Sequence, residues 1–230
     1  MKRIAILTGA GISAESGIST FRDSNGLWEN HRIEDVATPE GFRNNPALVL
    51  EFYNQRRKQL EMCEPNAAHI ALAHLERYFQ VDIITQNVDD LHERGGSSNV
   101  LHLHGELTKV RSVASDDEIY PWGYKNLHIG DLTPSGYQLR PHIVWFGEQV
   151  PMLDRAAEIT EAADIFIVVG TSMVVYPAAS LINYHPHKLP KFVVDPNIPT
   201  LSTYPNMTKI AKSATHGVAE LSKLLIENYA

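Results

Sequence analysis

Three short clusters combine polar groups and glycine at spacings that suit chemistry. Gly9-Ala10-Gly11-Ile12-Ser13-Ala14 has the form G-x-G-x-x-A and follows directly on an apolar run at residues 4–8. The first glycine permits a tight turn, and the second lets backbone N–H groups approach a pyrophosphate near a helix N-terminus. Alone, the pattern is shared with ordinary turn glycines. The carboxylate that a dehydrogenase carries about 20 residues further on is not clear here; Glu15-Ser16-Gly17-Ile18-Ser19-Thr20-Phe21-Arg22, polar and loop-like, follows instead. The second cluster, Thr85-Gln86-Asn87-Val88-Asp89-Asp90-Leu91-His92, also follows an apolar run. Polar groups at a strand's carboxyl end sit where open α/β sheets bind ligands, although Asn87 or Asp89 could equally cap a helix. In the third, Leu101-His102-Leu103-His104-Gly105, strand alternation puts both histidines on one face. An imidazole there can serve as a base, since its pKa lies near operating pH. With eleven histidines in the chain, any single one is more often structural.

The elements that must hold these clusters are legible as alternating patterns. Residues 4–8, 81–85, 100–103, 165–169 and 191–194 read as strands of one sheet. Helical periodicity lies between them at 66–79 and 153–163, and a last helix is expected over 218–229 with Leu221, Leu224 and Leu225 on its apolar face. This alternation implies the α/β class, with a doubly wound, parallel, Rossmann-like sheet. Two stretches fit poorly. Residues 29–65 are charged and helical, with a Thr38-Pro39-Glu40 start signal and a second helix through 48–60. Residues 106–140 carry Gly, Pro, Ser and Asp clusters with no sustained period. Both are expected to pack together as a small inserted helical and irregular lobe. The expected division is one catalytic domain over 1–230, with a core of about 1–28, 66–105 and 141–230 and a lobe of about 29–65 and 106–140.

Composition excludes several classes. Acidic residues number 27 and basic ones 20, a net charge of −7, which argues against a surface built to grip nucleic acid. Cys63 is the single cysteine, so neither an intramolecular disulfide nor a zinc site of several thiolates can form. The opening MKRIAILTGAG has neither a secretory apolar region nor a spanning helix, so a soluble protein of a reducing compartment, without membrane partners, is expected.

Together, GAGISAESGISTFR, TQNVDDLH, HLHGEL, PHIVWFGE and GTSMVVYPAA stand in the order and spacing of the sirtuins, the NAD-dependent protein-lysine deacylases. The chain resembles that family from Ile4 to about Leu225. The resemblance implies that Gly9, Ala10, Gly11 and Ser13 face the NAD phosphates. Phe21 would shield the ribose carbon from water, with Arg22 and Glu15 in the same cofactor loop. Ile12 and Asp89 would hold the nicotinamide carboxamide, and Gln86 and Asn87 the nicotinamide ribose and a water. Gly170, Thr171 and Ser172 would bind cofactor on the far side of the sheet, and Ala214 would lie beside the adenine. Sirtuins usually carry Asn at the strand end that meets the adenosine ribose; Val194-Asp195-Pro196-Asn197 stands there, so Asp195 and Asn197 both remain candidate contacts. His104 matches the catalytic histidine, and His102 is the structural alternative. In the implied chemistry the acyl-lysine carbonyl oxygen attacks the ribose as the nicotinamide bond breaks. His104 then accepts the proton that lets a ribose hydroxyl attack the imidate. NAD is consumed as co-substrate, releasing nicotinamide and O-acyl-ADP-ribose. Val144, Phe146 and Gly147 belong to the loop that pairs with the substrate peptide, with Val174 and Val175 across the acyl-lysine tunnel.

Two features refine the resemblance. Most sirtuins hold the small lobe with two pairs of zinc-binding cysteines, but residues 106–141 contain none, and Ser112 and Ser115 stand roughly where the first pair would fall. The spacing of Asp116, Asp117, His128 and Asp131 does not favour a metal. Zinc is therefore not expected, and Tyr120, Trp122, Tyr124 and Tyr137 are expected to pack the lobe. Tyr53 and Arg56 lie three apart on one helical face. In sirtuins a Y-x-x-R at this place looks like the signature of the class that removes succinyl and malonyl groups. A buried acyl carboxylate needs a partner, which the arginine fork supplies, with the tyrosine hydroxyl as a second donor. The expected activity is desuccinylation and demalonylation alongside some deacetylation, with acylated-lysine proteins or peptides as partners. Mono-ADP-ribosylation is the alternative and a non-catalytic NAD-sensing module a third reading; His104, Asn87, Asp89 and the peptide loop favour deacylation. A compact chain of this size suggests a monomeric, cytoplasmic bacterial enzyme.

Overall fold

A computed structural model describes residues 1–19, 31–171, 176–198 and 206–230, together with the backbone of 27–28. The chain opens with β1 (Arg3–Thr8), β2 (Leu27–Trp28) and β3 (His31–Arg32). The helices α1 (Ile33–Val36), α2 (Pro39–Asn44), α3 (Pro46–Met62) and α4 (Ala67–His74) follow. Next come β4 (Gln80–Thr85), α5 (Leu91–Arg94), β5 (Val100–His102), β6 (Gly105–Ser112), β7 (Ile119–Pro121) and β8 (Leu139–Ile143). The last part holds α6 (Leu153–Glu161), β9 (Ile165–Val169), β10 (Lys191–Val194), β11 (Met207–Ile210) and α7 (Ala214–Tyr229).

The main sheet has the order β11-β10-β9-β1-β4-β5, and every pairing in it is parallel. The strand order reverses beside β1, which makes the crevice between the carboxyl ends of β1 and β9 the topological switch point. Both faces are covered, so β1 reads as a continuous apolar run rather than an alternating one. Ile4 and Ile6 face α4 and α7 through Leu72, Val218, Leu221 and Leu225. Ala5 and Leu7 face the opposite layer, with Ala156 of α6 and Leu181 and Ile182 of a 3₁₀ segment. The doubly wound parallel sheet is thus present as expected, with β11 as a sixth strand that the pattern did not reveal. That strand lies at the sheet edge and buries only Ile210 fully, so its sequence carries little apolar signal. α7 also begins earlier than expected, at Ala214. Gly217 lies where a Cβ would come within 2.3 Å of Val194 Cγ1, so glycine lets the helix seat close on β10.

The segment 106–140 is not irregular throughout, which corrects the sequence reading. β7, β6 and β8 form a three-stranded antiparallel sheet. A register shift between Glu106 and Val110 breaks the two-residue period, and Arg111 and Ser112 are buried, so the hydropathy pattern conceals the strand. This sheet packs against α1–α3 in a cluster joining Val49, Phe52 and Tyr53 to Leu107, Ile143 and Trp145. Helix starts explain why 33–62 folds as it does. Thr38 accepts from Gly41 N at 2.9 Å and Asn45 from Leu48 N at 3.1 Å, each followed by proline at the first helical position. Tyr120 and Trp122 pack beside Leu50, Val110, Leu127 and Leu139, whereas Tyr137 is exposed and does not contribute the packing expected of it.

Candidate active site

At the switch point the turn after β1 and the turn after β9 press together. Gly9 N donates to Val169 O at 3.1 Å and Gly11 N to Gly170 O at 2.8 Å. A Cβ on Gly9 would lie 2.7 Å from Thr171 Cβ, and one on Gly11 would lie 2.7 Å from Gly170 Cα. Gly170 itself has a φ of +63°, a conformation that suits glycine. Ile12 N and Ser13 N are turned to Gly9 O and Ala10 O. The Gly9 and Gly11 amides thus tie the two turns together, while those of Ile12 and Ser13 close the turn after β1 on itself. Ile12 is fully buried in the core beneath the turn.

Next to this turn lies a buried polar cluster from β1, α4 and the segment after β4. Ser13 Oγ donates to Asp89 Oδ2 at 2.9 Å and accepts from Asn87 Nδ2 at 3.1 Å. Asn87 Nδ2 also reaches Gly9 O at 3.2 Å. His69 was not anticipated from sequence: its Nε2 lies 3.5 Å from Ser13 Oγ, while its Nδ1 accepts from Asn66 N in the capping box of α4. Burial pushes His69 down to about 4, so it is neutral. Burial raises Asp89 to about 6, against the hydrogen bonds from Leu91 N and Ser13 that favour its anion. Gln86 Nε2 donates to Thr171 Oγ1 at 3.2 Å, linking the ends of β4 and β9. Asp195, buried at the end of β10, accepts from Asn197 N at 2.8 Å, while Asn197 is exposed. Ala214 is buried as the first residue of α7. Glu15 carboxylate oxygens accept from Thr215 N at 3.0 Å and Thr215 Oγ1 at 2.7 Å, so this residue caps α7. Amide, hydroxyl and carboxylate groups at these strand ends match the hydrogen-bonding needs of a dinucleotide's carboxamide and ribose hydroxyls.

His104 follows the end of β5. Its Nδ1 lies 3.0 Å from Gln86 O, and a carbonyl can only accept, so Nδ1 carries the proton and Nε2 the lone pair. Burial lowers its pKa below 6.5, opposed by the Gln86 carbonyl, which keeps the ring neutral near pH 7. A neutral imidazole with its tautomer fixed by a backbone acceptor is equipped to take a proton.

A cleft beside this cluster is lined by Tyr53, Arg56, Gln59, Leu60, Val88 and Asp89. Tyr53 is fully buried, and its hydroxyl accepts from Trp145 Nε1 at 3.0 Å. Burial holds its phenol well above the usual tyrosine value. Arg56 is half-buried with its guanidinium over the Phe52 ring. The next residue, Arg57, is fully buried and donates to Leu107 O at 2.8 Å, a tie that the sequence reading missed. The loop after β8 leaves the strand at Ile143. Val144 N donates to His104 O at 2.9 Å and Phe146 N to Ala37 O at 3.0 Å. Phe146 and Gly147 are exposed, and Val144 is half-buried. Glu148 anchors this loop by accepting from Trp145 N at 2.7 Å, Arg140 Nη1 at 2.7 Å and Arg111 Nη2 at 3.2 Å. Phe21, Arg22, Ser172, Val174 and Val175 lie outside the described residues.

Site and fold together define an α/β protein with a polar crevice at the switch point and a second cleft between α3 and the turn after β4. Residues 9–177 match the Sir2 family, and the chain belongs to that family. It is 54% identical over 228 residues to an NAD-dependent protein deacylase of Helicobacter pylori, covering 99% of each chain. An NAD-dependent protein deacylase of Bacteroides thetaiotaomicron is 52% identical over 233 residues, covering 98% of this chain and 99% of that one. Among solved structures, a complex of a Sir2 homolog with NAD superposes with a TM-score of 0.88 at 40% identity, over 100% of this chain and 91% of that one. A Sir2 complex with a p53 peptide and NAD⁺ gives 0.75 at 28% identity, over 97% and 92%.

Proposed function

We propose that this chain is an NAD-dependent protein-lysine deacylase that removes succinyl and malonyl groups and, with them, acetyl groups. The observation that carries the reaction is His104. Its Nδ1 is committed to Gln86 O, which leaves Nε2 as the basic nitrogen beside the Asn87–Ser13–Asp89 cluster. NAD, when bound, supplies the ribose that receives the acyl group. Of this chain's residues, Gly9, Ala10, Gly11 and Gly170 shape the floor of its site. Ser13, Gln86, Asn87, Asp89 and Thr171 offer hydrogen bonds, and Asp195 with Ala214 lies toward the adenosine end. His104 takes the proton from a ribose hydroxyl. Val144, Phe146 and Gly147 present backbone to an extended peptide, a mode that makes few demands on sequence.

The acyl preference rests on Tyr53 and Arg56 lining one cleft with Asp89. An acyl carboxylate entering that cleft meets a guanidinium and a phenol, which compensate its lost hydration. A neutral acetyl group gains nothing from the charge. No zinc is proposed, because Cys63 is the single thiol. The test is mass spectrometry of one peptide carrying acetyl, malonyl or succinyl lysine, incubated with NAD and purified protein. Expected products are free lysine peptide and O-acyl-ADP-ribose. Protein-bound ADP-ribose without loss of the acyl group would move the reading to mono-ADP-ribosylation, and no turnover of any peptide would remove it.

A further inference from the structure

The turn after β4 is held from one side by three successive contacts. His104 Nδ1 meets Gln86 O at 3.0 Å, His102 Nδ1 meets Asn87 O at 3.1 Å, and Leu107 N donates to Val88 O at 2.8 Å. Two of these are ordinary: a backbone amide and a neutral imidazole. The middle one is different. His102 faces acceptors at both ring nitrogens, because its Nε2 lies 2.8 Å from Glu93 Oε1 on α5. A carbonyl and a carboxylate only accept, so each ring nitrogen must donate, and only the imidazolium carries two N–H groups. The ring's side chain is 7% exposed and that of Glu93 42%, so the pair sits at the rim with its cationic member inside.

We infer that His102 is a positioning residue: an imidazolium, kept charged by Glu93, that fixes the Asn87 carbonyl and so aims the Asn87 and Asp89 side chains into the cofactor crevice. The inference rests on the proposed NAD site, because it concerns the orientation of two residues assigned there. Asn87 is tied on both sides, its carbonyl to His102 and its amide to Gly9 O and Ser13 Oγ. Releasing the first tie frees the second to swing. The charged and titratable groups around the ring are Glu93 and His92 of α5, Asp89 of the turn, and Glu106 of β6, which Lys109 bridges at 2.6 Å. Burial pulls the imidazolium down, but the hydrogen bond and charge of Glu93, the charge of Glu106 and the Asn87 carbonyl outweigh it and hold His102 above the usual histidine value. Glu93 moves the opposite way: burial raises it, and its bond to His102 brings it below the usual carboxylate range. The two directions agree. As pH rises through the raised value the ring loses one proton, and it can then no longer donate to both acceptors.

The direct measurement is the ¹⁵N–¹H side-chain spectrum of the histidines in wild-type protein at about pH 7.5, where an ordinary histidine is neutral. His102, assigned by its absence in His102→Gln, is expected to show two protonated nitrogens, and to become neutral in Glu93→Gln. Steady-state kinetics should follow: His102→Phe, which removes the donor to Asn87 O, is expected to raise KM for NAD about fivefold at that pH with kcat held within about twofold. In wild type KM should rise at alkaline pH, as the remaining ring proton is drawn to the Glu93 carboxylate and away from Asn87 O, and His102→Phe should lack that rise. A neutral His102 in the wild-type protein overturns the inference, whatever the variants do. So does an unchanged KM for NAD and pH profile in a folded His102→Phe. Asn87→Ala separates the two layers of argument. If it impairs NAD use while His102→Phe does not, the positioning role falls and the NAD site stands; if Asn87→Ala is also silent, both fall.

Discussion

As the proposed base, His104 must be neutral to act, and its environment sets the pH at which it can. Burial lowers its pKa, so the base form persists below 6.5, and activity falls as pH drops through the shifted value. His104→Ala is expected to reduce kcat/KM by about 10²-fold or more while leaving the thermal midpoint in place; a large loss of midpoint would make the ring a packing element instead. Arg56→Met tests the acyl preference. KM for succinyl-lysine should rise by at least about tenfold, roughly 1.4 kcal/mol, with acetyl-lysine turnover far less affected. Equal weakening of both substrates would show that Arg56 supports α3 and does not read the acyl group. The groups legible in the sequence were those in compact motifs: Gln86, Asn87 and Asp89 lie in the turn after β4, and His104 just past the end of the neighbouring β5. Ser13–His69 and Tyr53–Trp145 were not legible as pairs, because 56 and 92 residues separate them in the chain. Glu15 also meets a partner remote in the chain. It stands inside a cofactor motif, yet its carboxylate caps α7.

The small sheet depends on one carboxylate among three cations and dipoles. Glu148 joins Arg111 and Arg140, both nearly buried, to Trp145 N, while Arg140 also stacks on the Trp145 ring and donates to Ile143 O. Burial alone would raise its pKa, but Arg140, Trp145 N and Arg111 hold it below the usual carboxylate range. A depressed carboxylate stabilises the fold above its unfolded value and loses that contribution as pH falls through the folded one. Glu148→Gln leaves buried Arg140 without an anion and Arg111 with only the exposed Asp116 at 3.3 Å, so it should cost about 3 kcal/mol in urea unfolding at neutral pH. The gap from wild type should narrow under acid conditions, below the usual carboxylate range. A gap that stays constant down to that range would mean that shape, not charge, is what Glu148 supplies. This network also explains why β6 and β8 were hard to read. Strands that bury Arg111 and Arg140 and carry a bulge break the apolar alternation on which a strand is recognised. The main sheet is the reverse case: its central strands are buried on both faces and announce themselves as apolar runs.

The crevice and the cleft meet where the two sheets are tied together, so stability of the smaller sheet bears on the site directly. Leu107 N reaches Val88 O at 2.8 Å, Arg94 Nη2 reaches Cys63 O at 2.6 Å, and the Tyr124 hydroxyl donates to Asp90. What holds the smaller sheet is therefore a question about the whole protein. Leu50, Val110, Leu127 and Leu139 give it an apolar centre. Asn54 closes on Leu127 through both its amide and its carbonyl, at 3.0 and 2.8 Å, and orients buried Arg57 toward Leu107 O. Among the described residues no group of three or more His, Cys, Asp or Glu is placed to hold a metal. A structural zinc contributes about 10–16 kcal/mol to the fold that depends on it, so its removal could not pass unnoticed. Protein dialysed against a strong chelator is expected to keep its thermal midpoint, its deacylase turnover and the exchange protection of the β6 and β8 amides. Added zinc should raise none of them. Zinc that stays bound at one equivalent through dialysis, and whose eventual loss lowers the midpoint, would show that a metal and not the Arg57 and Glu148 networks secures this sheet.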